Sequence, residues 1–229
     1  MILGGFSIFA ISTWVLPVLL AITLHEAAHG YVAWKLGDDT AYLKGRVTFN
    51  PLKHVDLFGT IILPALLIFV RAPFLFGWAK PVPVNFYRLR RPKRDMVWVA
   101  LAGPGINIVL AIVSAALLHL APIFSGVTEL WIVRMLQNSM FLNLLLAVFN
   151  MIPLPPLDGG RVAVGLLPPA LARPLARLER FGFLILIGTL FFLPVVLEKL
   201  GAPINIFIDI LLPPVQILFD TILLITGHI

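Results

Sequence analysis

The sequence has 229 residues, 60% of them hydrophobic and 12% charged, with a mean hydropathy of +1.01. Soluble domains carry about 25% charged residues, so this much apolar surface cannot be hidden inside a water-soluble globule and must face lipid. The net charge of +6 does not point to nucleic acid, because Lys and Arg gather beside apolar runs with no aromatic–basic platform, and the absence of Cys excludes disulfides, thiolate zinc sites and thiol nucleophiles.

Apolar runs occupy residues 6–35, 57–76, 97–121, 131–153, 181–199 and 203–226. Runs of about 20 residues suit helical spans. The first lacks the basic leader of a secretory signal and carries the main chemical motif, so it reads as a retained span. Between it and the second run, residues 41–50 (AYLKGRVTFN) are rich in strand formers around Lys44-Gly45, which predicts a short β-hairpin. The second run is interrupted by Pro64 and ends near Arg71 and Pro73, leaving a short core from Leu57 to Val70 suited to a re-entrant segment. After it, GWAKPVPVN (Gly77–Asn85) reads as extended backbone, because Pro81 and Pro83 oppose helix.

Charge decides the topology. Four basic residues lie between Lys35 and Lys53, seven between Arg71 and Arg94, and four between Arg161 and Arg180; only Arg134 and Lys199 lie elsewhere. If the second run crosses, the two faces carry six and eleven basic residues; if it re-enters, they carry fifteen and two. The second partition obeys the positive-inside rule far better. The expectation is therefore an all-α integral membrane protein with about five transmembrane helices, a re-entrant segment and a β-hairpin near the cytoplasmic face. The N-terminus lies outside and the C-terminus inside. A single domain covers 1–229, with a core at 6–165 and accessory C-terminal helices at 175–229.

The chemistry starts at His25-Glu26-Ala27-Ala28-His29. In a helix the two imidazoles lie one turn apart on one face and reach one metal ion, while Glu26 sits beside them without being a ligand. With five His and four Glu in the chain, the pattern arises by chance roughly two times in a thousand. The chemistry implied is hydrolysis: Zn2+ activates water and polarises a carbonyl, and Glu26 moves the proton. The plain alternative, two histidines satisfied by neighbours and a structural acid, leaves three costly polar groups in an apolar span without a task. A catalytic zinc commonly takes a third protein ligand. His54, His119, His228, Asp158, Asp209 and Asp220 are the candidates. Asp158 is best placed, because three prolines and two glycines in Asn150–Gly160 open the end of a span into non-helical backbone, tolerated at membrane depth only where it lines protein or a watery cavity. His25 and His29 near the exit of the first span, and Asp158 at the exit of 131–153, share one face only if the second run re-enters.

HEAAH (His25–His29), AGPGIN (Ala102–Asn107) and NMIPLPPLDGG (Asn150–Gly160) resemble the three signatures of the site-2 protease family of intramembrane zinc metalloproteases. FNPLKHVDLFGT (Phe49–Thr60) and GWAKPVPVN resemble its compact bacterial and archaeal branch, and the likeness runs from about residue 20 to 165 in the family's order. The resemblance implies His25, His29 and Asp158 as metal ligands, Glu26 as general base, and Asn150 in orienting substrate or stabilising the oxyanion. It implies a transmembrane protein as substrate, the lipid bilayer as surroundings, and the cell membrane of a prokaryote as location with the site toward the cytoplasm. Larger members carry a PDZ or nucleotide-sensing domain, and no stretch of this sequence reads as either. A helical substrate must unwind before water reaches its peptide bonds, and the expected 41–50 hairpin edge offers a strand to pair with it. Gly103, Pro104 and Gly105 are expected to permit close helix packing, and Asn107 to bond a neighbouring helix. The rival reading is a metal-ion transporter or nonproteolytic membrane receptor. Transport gives Glu26 no reason to flank the metal, and the sequence shows no pair of broken helices in repeated halves.

In this Cys-free chain, single cysteines at Thr40, Arg91 and Arg173 should all react with an impermeant thiol reagent from one face of sealed vesicles. Labelling of Thr40 and Arg91 from opposite faces would make the second run a crossing.

Overall fold

The computed structural model describes residues 8–69, 77–201 and 205–229. Its helices in chain order are α1 (Ile8–Lys35), α2 (Thr40–Leu43), α3 (Leu63–Phe69, continuing a wide π turn at Leu57–Ile62), α4 (Pro92–Leu118), α5 (Gly126–Asn150), α6 (Asp158–Leu166), α7 (Pro169–Arg177), α8 (Glu179–Ile187), α9 (Leu193–Lys199) and α10 (Leu212–Ile225). Among the described residues, four helical stretches are long and apolar enough to cross a membrane: Ile8–Lys35, Pro92–Ile123, Gly126–Asn150 and Ile208–Ile225.

The centre of the bundle is α1, α4 and α5. Lipid tails are as apolar as leucine, so helices in a membrane associate through close packing and interhelical hydrogen bonds. The buried faces are accordingly small. Ala21, Gly30 and Ala33 line α1, and Val99, Gly103, Asn107, Ala111 and Ala115, each four residues apart, form one stripe along α4. Antiparallel packing of α1 and α4 sets His29 beside Val99 and Ala21 beside Asn107. At the far end, the Trp131 and Asn138 side chains of α5 donate to Ser12 and Thr13 of α1 at 2.8 and 2.9 Å. α10 closes the bundle, with Val215 and Ile222 packed among Ala111, Ala115, Met140 and Leu144.

The ends of the 57–76 run lie together. Lys80 N–H donates to the His54 carbonyl (2.9 Å), Trp78 N–H to the Gly59 carbonyl (3.1 Å), and the Thr60 hydroxyl to the Trp78 carbonyl (2.8 Å). Gly59 is required here, because a Cβ would stand 2.4 Å from the Trp78 ring. Residues 70–76 of the run lie outside the described residues. His54 belongs to this clasp: its Nε2–H donates to the Thr48 carbonyl (3.2 Å) and its Nδ1 is buried without a partner. Burial pushes the imidazole below its ordinary pKa, with the Arg46 charge adding to the effect, so it stays neutral.

One expectation is corrected. No strand is present among the described residues, and the predicted 41–50 hairpin is instead the single turn α2 followed by a loop. The reason is Asp38, fully buried, whose carboxylate accepts from the backbone N–H and hydroxyl of Thr40 and from Asn85 N–H (2.6 Å), which winds the chain into a helical turn. Tyr42 stacks on Trp34 of α1 at 4.4 Å rather than facing a strand partner. The fifth span and the inside C-terminus are not confirmed. Residues 179–199 are helical but divided by a wide turn at Gly188–Phe192, and α8 docks on the 151–157 loop, where a Cβ on Gly182 would meet the Pro155 carbonyl at 2.2 Å. The end of α10 lies against the end of α4: His228 Nε2 donates to the Ala115 carbonyl (2.8 Å) and its ring stacks on His119. The ends of α4 and α10 thus lie together at the end of the bundle where α1 begins, and His228 sits opposite Thr40. A cysteine at His228 is therefore expected to label from the face opposite a cysteine at Thr40; labelling from the same face would overturn the placement of α10.

Candidate metal centre

His25 and His29 are one turn apart in the second half of α1, at a depth where α4 presents Gly103 instead of a side chain. A Cβ on Gly103 would stand 2.4 Å from His29 Nε2 and 2.6 Å from His25 Nε2, so only glycine lets α4 pass this close. Asp158 arrives from the other side. It is the first residue of α6, just after the irregular loop 151–157 that follows α5, and the loop folds tightly because Gly159 and Gly160 lie against its backbone. All three residues are buried.

Their donor atoms converge. His25 Nε2 and His29 Nε2 are 3.0 Å apart, and Asp158 Oδ2 is 3.2 Å from the first and 3.3 Å from the second. Among the described residues this is the one His/Cys/Asp/Glu group with metal-binding geometry. Four donors around zinc, with bond lengths of about 2.0–2.1 Å to nitrogen, stand roughly 3.3 Å from one another, close to these edges.

The second ring nitrogens show why the convergence suits a cation. His29 Nδ1 faces the Val99 carbonyl at 2.7 Å, and a carbonyl only accepts, so Nδ1 carries the proton and Nε2 a lone pair. His25 Nδ1 donates to Asn107 Oδ1 at 2.6 Å, leaving its Nε2 in the same state. Two lone pairs and a carboxylate oxygen thus point at one another, and Asp158 Oδ2 is buried with no hydrogen-bond partner. A proton on one Nε2 would serve only two of the three atoms. A divalent cation serves all three, and imidazole–carboxylate donors suit zinc.

Around the trio is a cavity of about 530 Å3, whose walls include Glu26, Trp78, Val82, Asn150, Leu157 and Leu186. Glu26 Oε2 accepts the Val82 N–H at 2.7 Å, so the non-helical 77–85 segment is tied to the acid. Arg46 donates to the Lys80 carbonyl at 2.6 Å and holds that segment down. Asn150, the last residue of α5, lines the cavity and donates from Nδ2 to the Leu146 carbonyl at 3.0 Å.

The other candidate ligands are employed elsewhere. His54 is in the clasp; His119 and His228 stack at the far end, with His119 Nε2 donating to the Thr226 carbonyl at 2.6 Å. Asp209 accepts from Asn205 N–H, and Asp220 from Gln216. Asn107 is bonded to the candidate ligand His25 as well as to helix neighbours, a role its burial in an apolar span signals only in outline. The Val99 carbonyl, the Val82 N–H and Leu186 carry no sequence signal, because two are backbone groups and the third is an ordinary leucine.

A family model described as "Peptidase family M50" matches residues 123–193, which include Asn150 and Asp158. "Putative zinc metalloprotease YwhC" of Bacillus subtilis (strain 168) is 42% identical over 176 residues, covering 75% of this chain and 76% of that one. "Putative zinc metalloprotease Rip2" of Mycolicibacterium smegmatis is 31% identical over 189 residues, 80% of this chain and 66% of that one. The protein of the same name from Mycobacterium tuberculosis (strain H37Rv) is 30% identical over 190 residues, 80% and 67%. No solved structure matches the chain.

Gly103→Ala places a methyl group among the donor atoms and is expected to cut zinc content from one ion per folded chain to near none. Gly105→Ala, whose Cβ meets open space, should leave it unchanged. Metal analysis of the purified proteins checks both, and full zinc loading in Gly103→Ala would refute the geometry.

Proposed function

Because the chain belongs to peptidase family M50, we propose that it is an intramembrane zinc endopeptidase that cuts transmembrane or membrane-proximal segments of other proteins. The carrying observation is the buried convergence of His25, His29 and Asp158, with an unpaired carboxylate oxygen at its centre and Glu26 on the same cavity wall.

His25, His29 and Asp158 would hold the ion. Zinc bound there supplies a Lewis acid that lowers the pKa of water and polarises a scissile carbonyl. Glu26 accepts the proton of the attacking water at its carboxylate and delivers it to the leaving amine. The Val82 N–H holds that carboxylate over the cavity, so its rotamer is set before substrate arrives. The Asn150 amide commits one N–H to the Leu146 carbonyl and has a second with which to orient the substrate carbonyl or meet the developing oxyanion.

Substrate must reach this cavity unwound. The 77–85 segment supports that role in place of the 41–50 turn: it is non-helical, holds Pro81 and Pro83, and lines the same cavity as the candidate metal ligands. Reading 57–76 as re-entrant is supported by the hydrogen bonds that join its two ends. Residues 35–53, 77–94 and 161–180, which carry most of the Lys and Arg, adjoin the metal end of the bundle. That asymmetry supports a cytoplasmic orientation for the site in a prokaryotic cell membrane.

Glu26→Gln is expected to retain zinc while cleavage of a purified transmembrane substrate falls by about 10²- to 10⁴-fold, the usual range for losing a general base. Metal content and single-turnover cleavage in proteoliposomes check it together. Parent-like cleavage by the variant, with contaminating proteases excluded, would reject the mechanism.

A further inference from the structure

The bond from His25 to Asn107 continues into a line of buried polar side chains crossing from α4 to α5. Asn107 is fully buried and Asn143 is 1% exposed, within helices otherwise apolar enough to span a membrane. Unsatisfied polar groups at such depth are costly, so the direction of each hydrogen bond can be worked out from the others.

The line ends on a group with one possible role. Asn143 Nδ2 donates to the Ser139 carbonyl at 2.8 Å, and a backbone carbonyl only accepts, which orients the Asn143 amide. Its Oδ1 therefore faces Asn107 and accepts from Asn107 Nδ2 at 2.7 Å. The second N–H of Asn107 points toward the Ala21 carbonyl at 3.4 Å. Asn107 Oδ1 is then left for His25 Nδ1, 2.6 Å away, and an amide oxygen can only accept. Flipping Asn107 would set its oxygen against two other acceptors and its NH2 against the ring nitrogen. Ser139 and Ser114 close the other side, their hydroxyls 2.8 Å apart, with Ser114 donating to the Leu110 carbonyl.

We propose that Asn107 and Asn143 are positioning residues that set the tautomer of His25: the α5 backbone orients Asn143, Asn143 orients Asn107, and Asn107 holds the His25 proton on Nδ1, keeping the Nε2 lone pair on the metal side. A free imidazole side chain favours the opposite tautomer, with the proton on Nε2, which would block that ligand position. His29 receives the same instruction from the Val99 carbonyl, fixed by its own helix. His25 lies too far along α1 for that carbonyl, so side chains perform the task. The inference rests on the metal-centre reading for its purpose, but the tautomer exists without metal.

The test uses metal-free protein in nanodiscs, labelled with nitrogen-15 histidine, with the His25 signals identified by their loss in His25→Gln. Nitrogen shifts distinguish protonated from lone-pair ring positions. The parent should show His25 protonated at Nδ1. Asn107→Leu, similar in size but without an acceptor, should move the proton to Nε2 and weaken zinc binding by about 10- to 100-fold, the range for losing a partner behind a metal-ligating histidine. Asn107→Asp keeps an acceptor toward Nδ1 and should preserve both the tautomer and most of the affinity. Asn143→Leu, which touches neither ligand nor metal, should give a mixture of tautomers as Asn107 is freed to flip. An unchanged Nδ1 proton in Asn107→Leu, or equal loss of zinc in Asn107→Leu and Asn107→Asp, would overturn the proposal. If Asn107→Leu does not fold, an unmixed Nδ1 tautomer in Asn143→Leu overturns it instead. Failure of the parent to bind zinc would count against the metal centre, while the nitrogen shifts would still decide the relay.

Discussion

Three electron-rich atoms facing one another in a water-poor interior are the constraint on which this structure depends. Two imidazole lone pairs and a carboxylate oxygen stand 3.0–3.3 Å apart, each imidazole held there by a group behind it. Without positive charge between them the arrangement is repulsive, and low dielectric strengthens the repulsion. The surroundings are shaped to create the site. Gly103 removes the side chain that would fill it, Gly159 and Gly160 let the Asp158 loop turn tightly, and the Val99 carbonyl and Asn107 amide aim the histidines.

A membrane chain has few means of achieving such rigidity. Burying apolar side chains against each other gains little where lipid is the alternative, so shape and polar bonding must carry specificity. The four-residue spacing of small residues on α4 gives shape, bringing α1 and α5 close enough for side chains to bond across. The polar bonds fall in two layers: Trp131 and Asn138 with Ser12 and Thr13 at the far end, and the Ser139–Asn143–Asn107–His25 line at the level of the metal. Each layer fixes the helices' axial register, which in turn determines whether ligands from α1 and α6 meet.

The region between α1 and α4 combines two functions. Residues 77–85 return to the start of the 57–76 run through backbone bonds, are held by Arg46, and reach across to Glu26. Non-helical backbone with two prolines suits this place, because a helix would fill more of the cavity. Helix α8, from the part of the chain read as accessory, adds Leu186 to the same cavity. The wall of the site is thus assembled from segments more than a hundred residues apart.

The sequence by itself determined the membrane class and singled out the three side chains, His25, His29 and Asp158, that the structure brings together. Composition alone requires lipid, a four-residue spacing within a helix requires two imidazoles on one face, and the proline–glycine break around Asp158 marks where a span opens. These are local facts, governed by helix periodicity and the cost of polar groups in hydrocarbon. What tertiary structure decided was everything set by partners distant in sequence. The strand-like composition of 41–50 yielded to one buried carboxylate, Asp38, which winds the chain into α2. Hydropathy placed a span at 181–199, but it could not show that α8 also docks on the 151–157 loop, or that His228 bonds to α4. The tautomers of His25 and His29 depend on a carbonyl and an amide some seventy or more residues away, and a proton's position on a ring leaves no mark in the residue's identity.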